Sequence, residues 1–342
     1  MAMATTSTTY RVAALDFTKG ALVLFMVLYH WLNYFVATQG EFYRYLRFVT
    51  PSFIFITGFL VSNVYLSRYE IADSQLPKRL MHRGLKILGL FVVLNVIIGF
   101  LFSDSYDGKI QFDLLSPRNM MAIFITGNAY VPGIGKAAAF HILVPISYVL
   151  LLSAALLITC RVWRYTFHAA CALSMLGVLV LRFNAIQSAN LELLAIGLLG
   201  VIIGYVPLEK INNIVGHPYT LVAAYLCYAG AITVWNVVYP LQVVGVCLSL
   251  LLMYLVGAKS GEPGRIRRHV IVLGKHTLYG YIVQIAVLQL IFRSLRHVNV
   301  EVGVAGISFV AAFALTVLAV EAVDRVRAKS TIVERLYKTV FA

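Results

Sequence analysis

The chain has 342 residues, of which 61% are hydrophobic and only 12% are charged, and its formal net charge is +14. Because soluble domains are usually about 25% charged, this composition excludes a soluble globular protein and predicts an all-α, polytopic integral membrane protein. In such a protein a positive charge indicates loops that face anionic membrane lipid and an anionic cosubstrate, and we expect no nucleic acid partner.

Runs of about twenty apolar residues predict ten transmembrane helices. They lie near residues 15–36, 46–66, 83–103, 138–160, 165–183, 190–207, 218–238, 241–257, 270–292 and 303–323. The one long polar segment, 104–136, holds a predicted short surface helix at 120–126. We therefore expect a tail at 1–14, a transmembrane domain at 15–323 and a second tail at 324–342.

The Lys and Arg residues predict the orientation. Most of the 28 fall in segments that would share one side of the membrane with the N-terminus. Because cytoplasmic loops carry an excess of Lys and Arg, both termini are predicted to be cytoplasmic, in an inner or plasma cell membrane.

The first predicted helix carries a stripe of polar side chains. At about 100° per residue, Asp16, Lys19, His30 and Asn33 fall within roughly a third of a turn. At 1.5 Å rise per residue, Lys19 and His30 are about 16 Å apart along the same face. Polar and ionisable groups in lipid are costly, so this stripe predicts the wall of a reaction path.

Comparing depth along the predicted helices gives two polar layers. The outer layer, where we expect a base and substrate contacts, consists of His30, Asn33, His141, Glu192 and Gln284, and Trp31 beside His30 is a further expected substrate contact. The inner layer is cationic, with Lys78, Arg79, Arg83, Lys86, Arg265, Arg267, Arg268 and Lys275, of which all but Lys78 and Arg267 are predicted to bind the cosubstrate. Each of these residues also has an ordinary structural explanation. Lys19 would pair with Asp16 and reach the lipid headgroups, His30 would be a structural histidine, and the inner cations would be the usual excess of positive charge on the cytoplasmic side.

Four segments resemble a known family. Residues 15–30, from Leu-Asp-Phe-Thr-Lys-Gly to Tyr-His, resemble the first-helix signature of the acyltransferase-3 membrane enzymes, with Lys19 where that family has Arg. Residues 50–59 and 273–281 are similar to its second-helix and late glycine-basic segments. Residues 140–143 are closer to the related glucan succinyltransferases and the heparan-glucosaminide acetyltransferase group.

The resemblance implies acyl transfer across the bilayer. A cytoplasmic acyl-CoA, as cosubstrate with no tightly bound cofactor, would donate an acetyl or succinyl group to a hydroxyl or amine of an extracytoplasmic glycan or lipid-linked saccharide. His30 would be the general base, with Asn33, His141 or Gln284 orienting it or donating to the oxyanion. Lys19, held by Asp16, would bind acyl-CoA together with the inner cations.

Two other functions remain open from the residues alone. A secondary transporter or flippase could use intramembrane His, Glu and Asn to relay protons, although no internal repeat is visible in the chain. An inactive relative that only binds a lipid-linked glycan would also keep His30, while Lys19 stands where the family has Arg and Gln284 where many members have His.

Overall fold

The computed structural model of the chain describes residues 12–36, 42–66, 75–102, 117–128, 130–131, 135–136, 139–160, 162–163, 165–259, 264–295 and 302–341. Within them the regular structure is helical, except for two paired two-residue strands, β1 (Tyr130–Val131) and β2 (Gly135–Lys136). The predicted all-α class is confirmed.

The helices follow the predicted apolar runs closely. They are α1 (Ala13–Phe35), α2 (Tyr43–Leu46), α3 (Val49–Leu60), α4 (Gln75–Phe102), α5 (Pro117–Met120), α6 (Leu143–Cys160), α7 (Thr166–Phe183), α8 (Ala189–Gly204), α9 (Leu208–Val215), α10 (Pro218–Trp235), α11 (Tyr239–Lys259), α12 (Arg265–Lys275), α13 (Thr277–Leu295), α14 (Val302–Lys329) and α15 (Thr331–Phe341). Two π-helical segments, Val61–Leu66 and Met121–Thr126, continue α3 and α5.

Among the described residues, nine helices are long and apolar enough to cross a membrane. A tenth span results if α8 and α9, which meet at a bend of 100°, are counted as one. The chain is therefore a multi-pass membrane protein, as predicted. The predicted surface helix at 120–126 is also helical, as the end of α5 and the π-helical segment, whereas 104–116 of the surrounding loop lie outside the described residues.

Several predicted helices have different bounds: α4 begins at Gln75 and not at 83, α6 begins at Leu143 and not at 138, and α14 ends at Lys329 and not at 323. Two further differences have a local reason. The predicted helix 190–207 ends at Gly204, because Pro207 disfavours helical backbone in the residue before it. The predicted start of a helix at 270 is wrong, since 270–275 belong to α12 and α13 begins at Thr277. Residues 265–275 alternate buried apolar and exposed cationic positions, so they form a separate amphipathic helix.

The described helices form two compact units. The first contains Met1–Leu46, Val215–Asn236 and Cys247–Ala342, and the second contains Arg47–Ile214 and Val237–Val246. In the first unit, α1, α13 and α14 share a core in which Val27, Leu288 and Ala312 are fully buried. This core fixes one long face of α1 against α13 and α14.

Glycines let α1 and α12 cross at backbone contact in the first unit. A Cβ atom added at Gly274 would lie 1.7 Å from the carbonyl oxygen of Asp16, and one added at Gly20 would lie 1.9 Å from that of Val270. Small residues of this kind allow close helix packing in membranes, where association depends on van der Waals contact. The crossing holds α12 against the N-terminal half of α1.

In the second unit, glycines likewise let α3 and α8 pack at backbone contact. Gly200 approaches the carbonyl oxygen of Phe55, and Gly58 approaches that of Gly197, so that an added Cβ would lie 2.1 Å and 1.9 Å away. The Ser62 hydroxyl donates a 2.6 Å hydrogen bond to the Val201 carbonyl oxygen. Helix α3 is therefore packed tightly along α8.

Gly274→Ala should separate α1 from α12, because its Cβ cannot be accommodated 1.7 Å from a backbone oxygen. We expect a loss of about 3 kcal/mol of stability, measured by thermal unfolding of the detergent-solubilised protein. The control is Gly230→Ala in α10, where nothing lies within 4 Å of the added Cβ; it should gain up to about 1 kcal/mol. Equal melting temperatures in the two variants would contradict the packing argument.

Candidate functional site

An ion pair lies at the N-terminal end of α1. Lys19 Nζ is 2.6 Å from Asp16 Oδ1, and both side chains are largely buried. Thr18, beside them, donates its hydroxyl to the Ala14 carbonyl oxygen at 2.8 Å. The Asp16 carboxylate therefore fixes the Lys19 ammonium, as the sequence predicted, at the crossing with α12.

Three of the predicted cofactor-binding cations lie on α12. Arg265, Arg268 and Lys275 are exposed, and Lys275 follows Gly274, the residue in backbone contact with Asp16. The fold of the first unit thus brings Lys275 to the same end of α1 as Lys19, while Arg265 and Arg268 lie further back along α12. A concentration of positive charge of this kind suits a phosphate-bearing ligand.

His30 is half-buried on α1, three turns of helix beyond Lys19. Its ring makes an edge contact with Tyr29, whose ring in turn contacts Tyr43 of α2. Asn33 donates its amide to the Tyr29 carbonyl oxygen at 3.2 Å. The imidazole lies one turn after the buried Met26, on the same face of the helix.

Trp31 has a structural contact in the first unit. Its indole nitrogen donates a 3.0 Å hydrogen bond to the Ser308 hydroxyl of α14, and its ring contacts Phe309. These contacts hold α1 against α14. The predicted role of Trp31 in substrate binding stays a prediction.

Gln284 of α13 is buried in an unusual way. The side chain is fully shielded from solvent, and both its amide nitrogen and its amide oxygen have no hydrogen-bond partner among the described residues. The next glutamine on the same helix differs, since Gln289 donates its amide to the Tyr34 hydroxyl of α1. A buried carboxamide without partners is costly, and the predicted role of Gln284 in substrate binding stays a prediction.

In the second unit, His141 follows a backbone turn at Ala139. Asn95 of α4 hydrogen-bonds to both the backbone N–H and the carbonyl oxygen of Ala139. The Ala139 N–H donates to Asn95 Oδ1 at 2.8 Å, and Asn95 Nδ2 donates to the Ala139 carbonyl oxygen at 3.0 Å. Phe140, between Ala139 and His141, is buried and has a φ of 54°. A left-handed phenylalanine is rare, so the clamp and the buried ring together set where His141 lies.

Glu192 is held in an ion pair in the second unit. Arg182 Nε and Nη2 lie 2.8 Å and 3.0 Å from its two carboxylate oxygens, and the guanidinium also stacks on the Tyr239 ring. The Tyr239 hydroxyl donates to the Glu192 backbone carbonyl at 3.3 Å. These contacts give Glu192 a role in joining α7 to α8 and α11, and its predicted role in substrate binding stays a prediction.

The remaining predicted cations lie on one side of α4. Arg79 and Arg83 are exposed, Lys86 is half-buried, and Arg83 donates to the Tyr65 hydroxyl at the end of the π-helical segment. Their spacing of four and three residues puts them on one face of the helix. They form a cationic strip of the second unit.

A buried histidine that the sequence did not single out lies at the break between α12 and α13. His276 Nε2 is 2.8 Å from Asp324 Oδ1, and its Nδ1 is 2.8 Å from the Tyr337 hydroxyl and 3.0 Å from Arg327 Nη1. A guanidinium can only donate, so Nδ1 faces a donor while Nε2 faces the Asp324 carboxylate, which can only accept when it is ionised.

The same cluster attaches α15 to the rest of the first unit. Arg327 also pairs with Glu334 of α15 at 2.6 Å. Hydrogen bonds from Arg327 and Lys338 lower the pKa of Glu334 from 4.5 to about 2, so the carboxylate is charged at physiological pH and the pair persists there. Burial, in contrast, raises the pKa of Tyr337 to about 12, which keeps its hydroxyl protonated to hydrogen-bond to His276.

Sequence reasoning missed Asn95 and His276, although each left a signal. Asn95 is a single amide in the apolar run 83–103, where a polar side chain needs a partner. His276 lies inside the segment 273–281 that resembles the family, next to the lysine that was chosen instead.

The fold is that of a multi-pass membrane protein whose first helix carries a buried ion pair and, three turns on, a histidine. A family model described as an acyltransferase domain, Acyl_transf_3, matches residues 12–321, most of the chain. The chain belongs to the acyltransferase-3 family, and membership implies acyltransferase activity. Neither the curated proteins nor the solved structures contain a match to the chain.

Asn95→Leu should release the turn before His141, because it removes both hydrogen bonds to Ala139. We expect hydrogen–deuterium exchange over 139–142 to become at least about tenfold faster, the equivalent of about 1.4 kcal/mol of local stability. The matched control is Asn184→Leu, since Asn184 only donates to its own helix, at Val180. Unchanged protection at 139–142 would show that Phe140 alone holds the turn.

Proposed function

We propose that this protein transfers an acyl group, acetyl or succinyl, from acyl-CoA to a hydroxyl or amine of an extracytoplasmic glycan or lipid-linked saccharide. The observation that carries the proposal is the arrangement on α1: a fixed Lys19 where the cationic helix α12 crosses one end, and His30 on the same face three turns away. Family membership favours this reaction over the secondary transporter.

The acyl donor would enter from the end that carries the cations. If both termini are cytoplasmic, as the Lys and Arg distribution predicts, the N-terminal end of α1 and the end of α12 that crosses it would face the cytoplasmic compartment, where acyl-CoA is found. Lys19, Arg265, Arg268 and Lys275 would bind the phosphates of CoA, because ammonium and guanidinium groups make charge-assisted hydrogen bonds to phosphate oxygens. The uncharged arm of the donor would then extend along α1 toward His30.

His30 would act as the general base. In the neutral state its imidazole accepts the proton of the acceptor hydroxyl or amine as that oxygen or nitrogen attacks the thioester carbonyl carbon. The carbon–sulfur bond then breaks, the acyl group stays on the acceptor, and the imidazolium returns its proton to the CoA thiolate. Asn33, on the same face, would help to orient the imidazole or the acceptor.

The assignment of each remaining residue follows from its contacts. Asp16 keeps Lys19 in place rather than touching substrate, since its carboxylate is occupied by the ammonium group. Gln284 is assigned to ligand binding because its amide is buried without partners. His141 stays a predicted catalytic residue, and Arg79, Arg83 and Lys86 stay predicted donor-binding residues.

His30→Ala should abolish acyl transfer, with a fall of at least about 10²–10⁴-fold in kcat, because no other base would take the acceptor proton. The measurement is transfer of radiolabelled acetyl from acetyl-CoA to native membranes by the purified variant. Its control is His168→Ala, since His168 stacks on Tyr205 in the second unit and has no proposed part in the reaction. Full turnover by His30→Ala would reject His30 as the base.

Lys19→Ala should raise KM for acetyl-CoA about ten- to a hundredfold, which is the loss of affinity expected when one charge-assisted hydrogen bond is removed. Lys19→Arg keeps the positive charge and should keep most of the activity. Because Lys19→Ala also leaves the buried Asp16 carboxylate without its cation, the variant is compared with the double variant Asp16→Asn, Lys19→Ala. Both should lose donor affinity, but only the single variant should lose substantial stability. Equal KM in wild type, Lys19→Arg and Lys19→Ala would mean that Lys19 only reaches the headgroups.

A further inference from the structure

The position of Gln284 along α1 is set by its neighbours on α13. Gly280, one turn before it, faces Val23 of α1 and Val320 of α14, while Leu288, one turn after it, packs with Val27 and Ala312. Gln284 therefore lies between the levels of Val23 and Val27. At 1.5 Å per residue this is about 5–10 Å from His30, on the side toward Lys19.

The surroundings of Gln284 at that level are apolar. Val23, Val27 and Ala312 are fully or almost fully buried. Helices α13 and α14 run antiparallel, so Thr316 of α14 lies at the level of Gln284. The Thr316 hydroxyl already donates to the Ala312 carbonyl oxygen at 2.7 Å. Within the part of the chain that the structure describes, no donor or acceptor hydrogen-bonds to the Gln284 amide. A leucine would fit such a site at lower cost, so the carboxamide points to a ligand.

The chemistry of the amide limits what that ligand is. A carboxamide offers two N–H donors and an acceptor oxygen, and a secondary amide is its neutral complement, with one donor and one acceptor side by side. A charged group would lose its hydration among valine and alanine side chains without gaining a counter-charge. The arm that joins the nucleotide of CoA to its thiol is uncharged and contains secondary amides.

We propose that the Gln284 carboxamide hydrogen-bonds to an amide of the acyl donor's arm, and so positions the thioester below His30. This inference rests on the proposed function, because it takes acyl-CoA as the donor. The sequence predicts that Gln284 contacts the acyl acceptor, whereas this inference has Gln284 bind the acyl donor. It also makes the ligand-free protein less stable than it would be with an apolar residue at 284.

The test separates binding from stability with two glutamines of the same helix. Gln284→Leu should raise the melting temperature of the ligand-free protein by a few degrees, because an unpartnered buried amide is removed. Its Kd for coenzyme A should rise about tenfold, the loss expected for hydrogen bonds to a neutral group. Binding of adenosine bisphosphate, the nucleotide fragment without the amide arm, should be unchanged. Gln284→Met, which keeps the shape of glutamine, should behave in the same way.

The matched control is Gln289→Leu. Because the Gln289 amide already bonds to the Tyr34 hydroxyl, this variant should lower the melting temperature and leave the coenzyme A affinity unchanged. Titration calorimetry and thermal unfolding of the full-length protein in detergent give both readouts without an acyl acceptor.

The outcomes distinguish this inference from the proposed function. If coenzyme A binds the wild type and Gln284→Leu equally well, the donor-arm role is wrong, and a buried water meets the amide instead. If coenzyme A does not bind the wild type at all, acyl-CoA is not the donor, and the proposed function and this inference both fail. Weaker binding of adenosine bisphosphate by Gln284→Leu would also overturn the inference, since it would indicate a general disturbance of the bundle.

Discussion

Helices α1 and α12 cross with their backbones in contact, because glycine stands at the two closest points, Gly20 and Gly274. In a membrane the hydrophobic effect does not drive one helix onto another, so close van der Waals packing must do so. The crossing brings a strongly cationic helix beside the Asp16–Lys19 pair, which would otherwise lie isolated in lipid. Every assignment at that end of α1 depends on this contact.

Polar groups in the first unit fall into two kinds. Most are paired within the protein: Asp16 with Lys19, Trp31 with Ser308, Gln289 with Tyr34, and His276 within its cluster. The Tyr228 and Ser249 hydroxyls and both amide atoms of Gln284 are buried and have no hydrogen-bond partner among the described residues. In a low-dielectric interior the paired groups stabilise the fold, while an unpaired one lowers stability. Gln284, which leaves both a donor and an acceptor unpaired, is therefore the most informative of these groups about a ligand.

In the second unit, the sequence predicts candidate site residues, but only the fold decides where their side chains lie. Depth along a predicted helix puts His141 in the outer polar layer, yet His141 precedes α6, in a turn held by Asn95 and by the buried, left-handed Phe140. The same argument puts Glu192 in that layer, but its carboxylate is already bound by Arg182. The depth of a residue along a helix can be predicted by counting residues. The side chain that it pairs with, 10 to 44 residues away in these two cases, is decided only by how the helices pack.

The sequence by itself determined the membrane class, the nearly complete set of spans, the polar stripe of α1 and the resemblance to the family, because hydropathy and helical periodicity are local properties of the chain. Only the tertiary structure decided that 265–275 form a separate helix against α1, that Asn95 holds the turn before His141, and that the buried Gln284 amide has no hydrogen-bond partner among the described residues. These features depend on which faces of distant helices meet, and no local pattern encodes that choice. An apolar residue in a membrane protein looks the same in sequence whether it faces lipid or another helix, and a polar one gives no sign of whether its partner is protein or ligand.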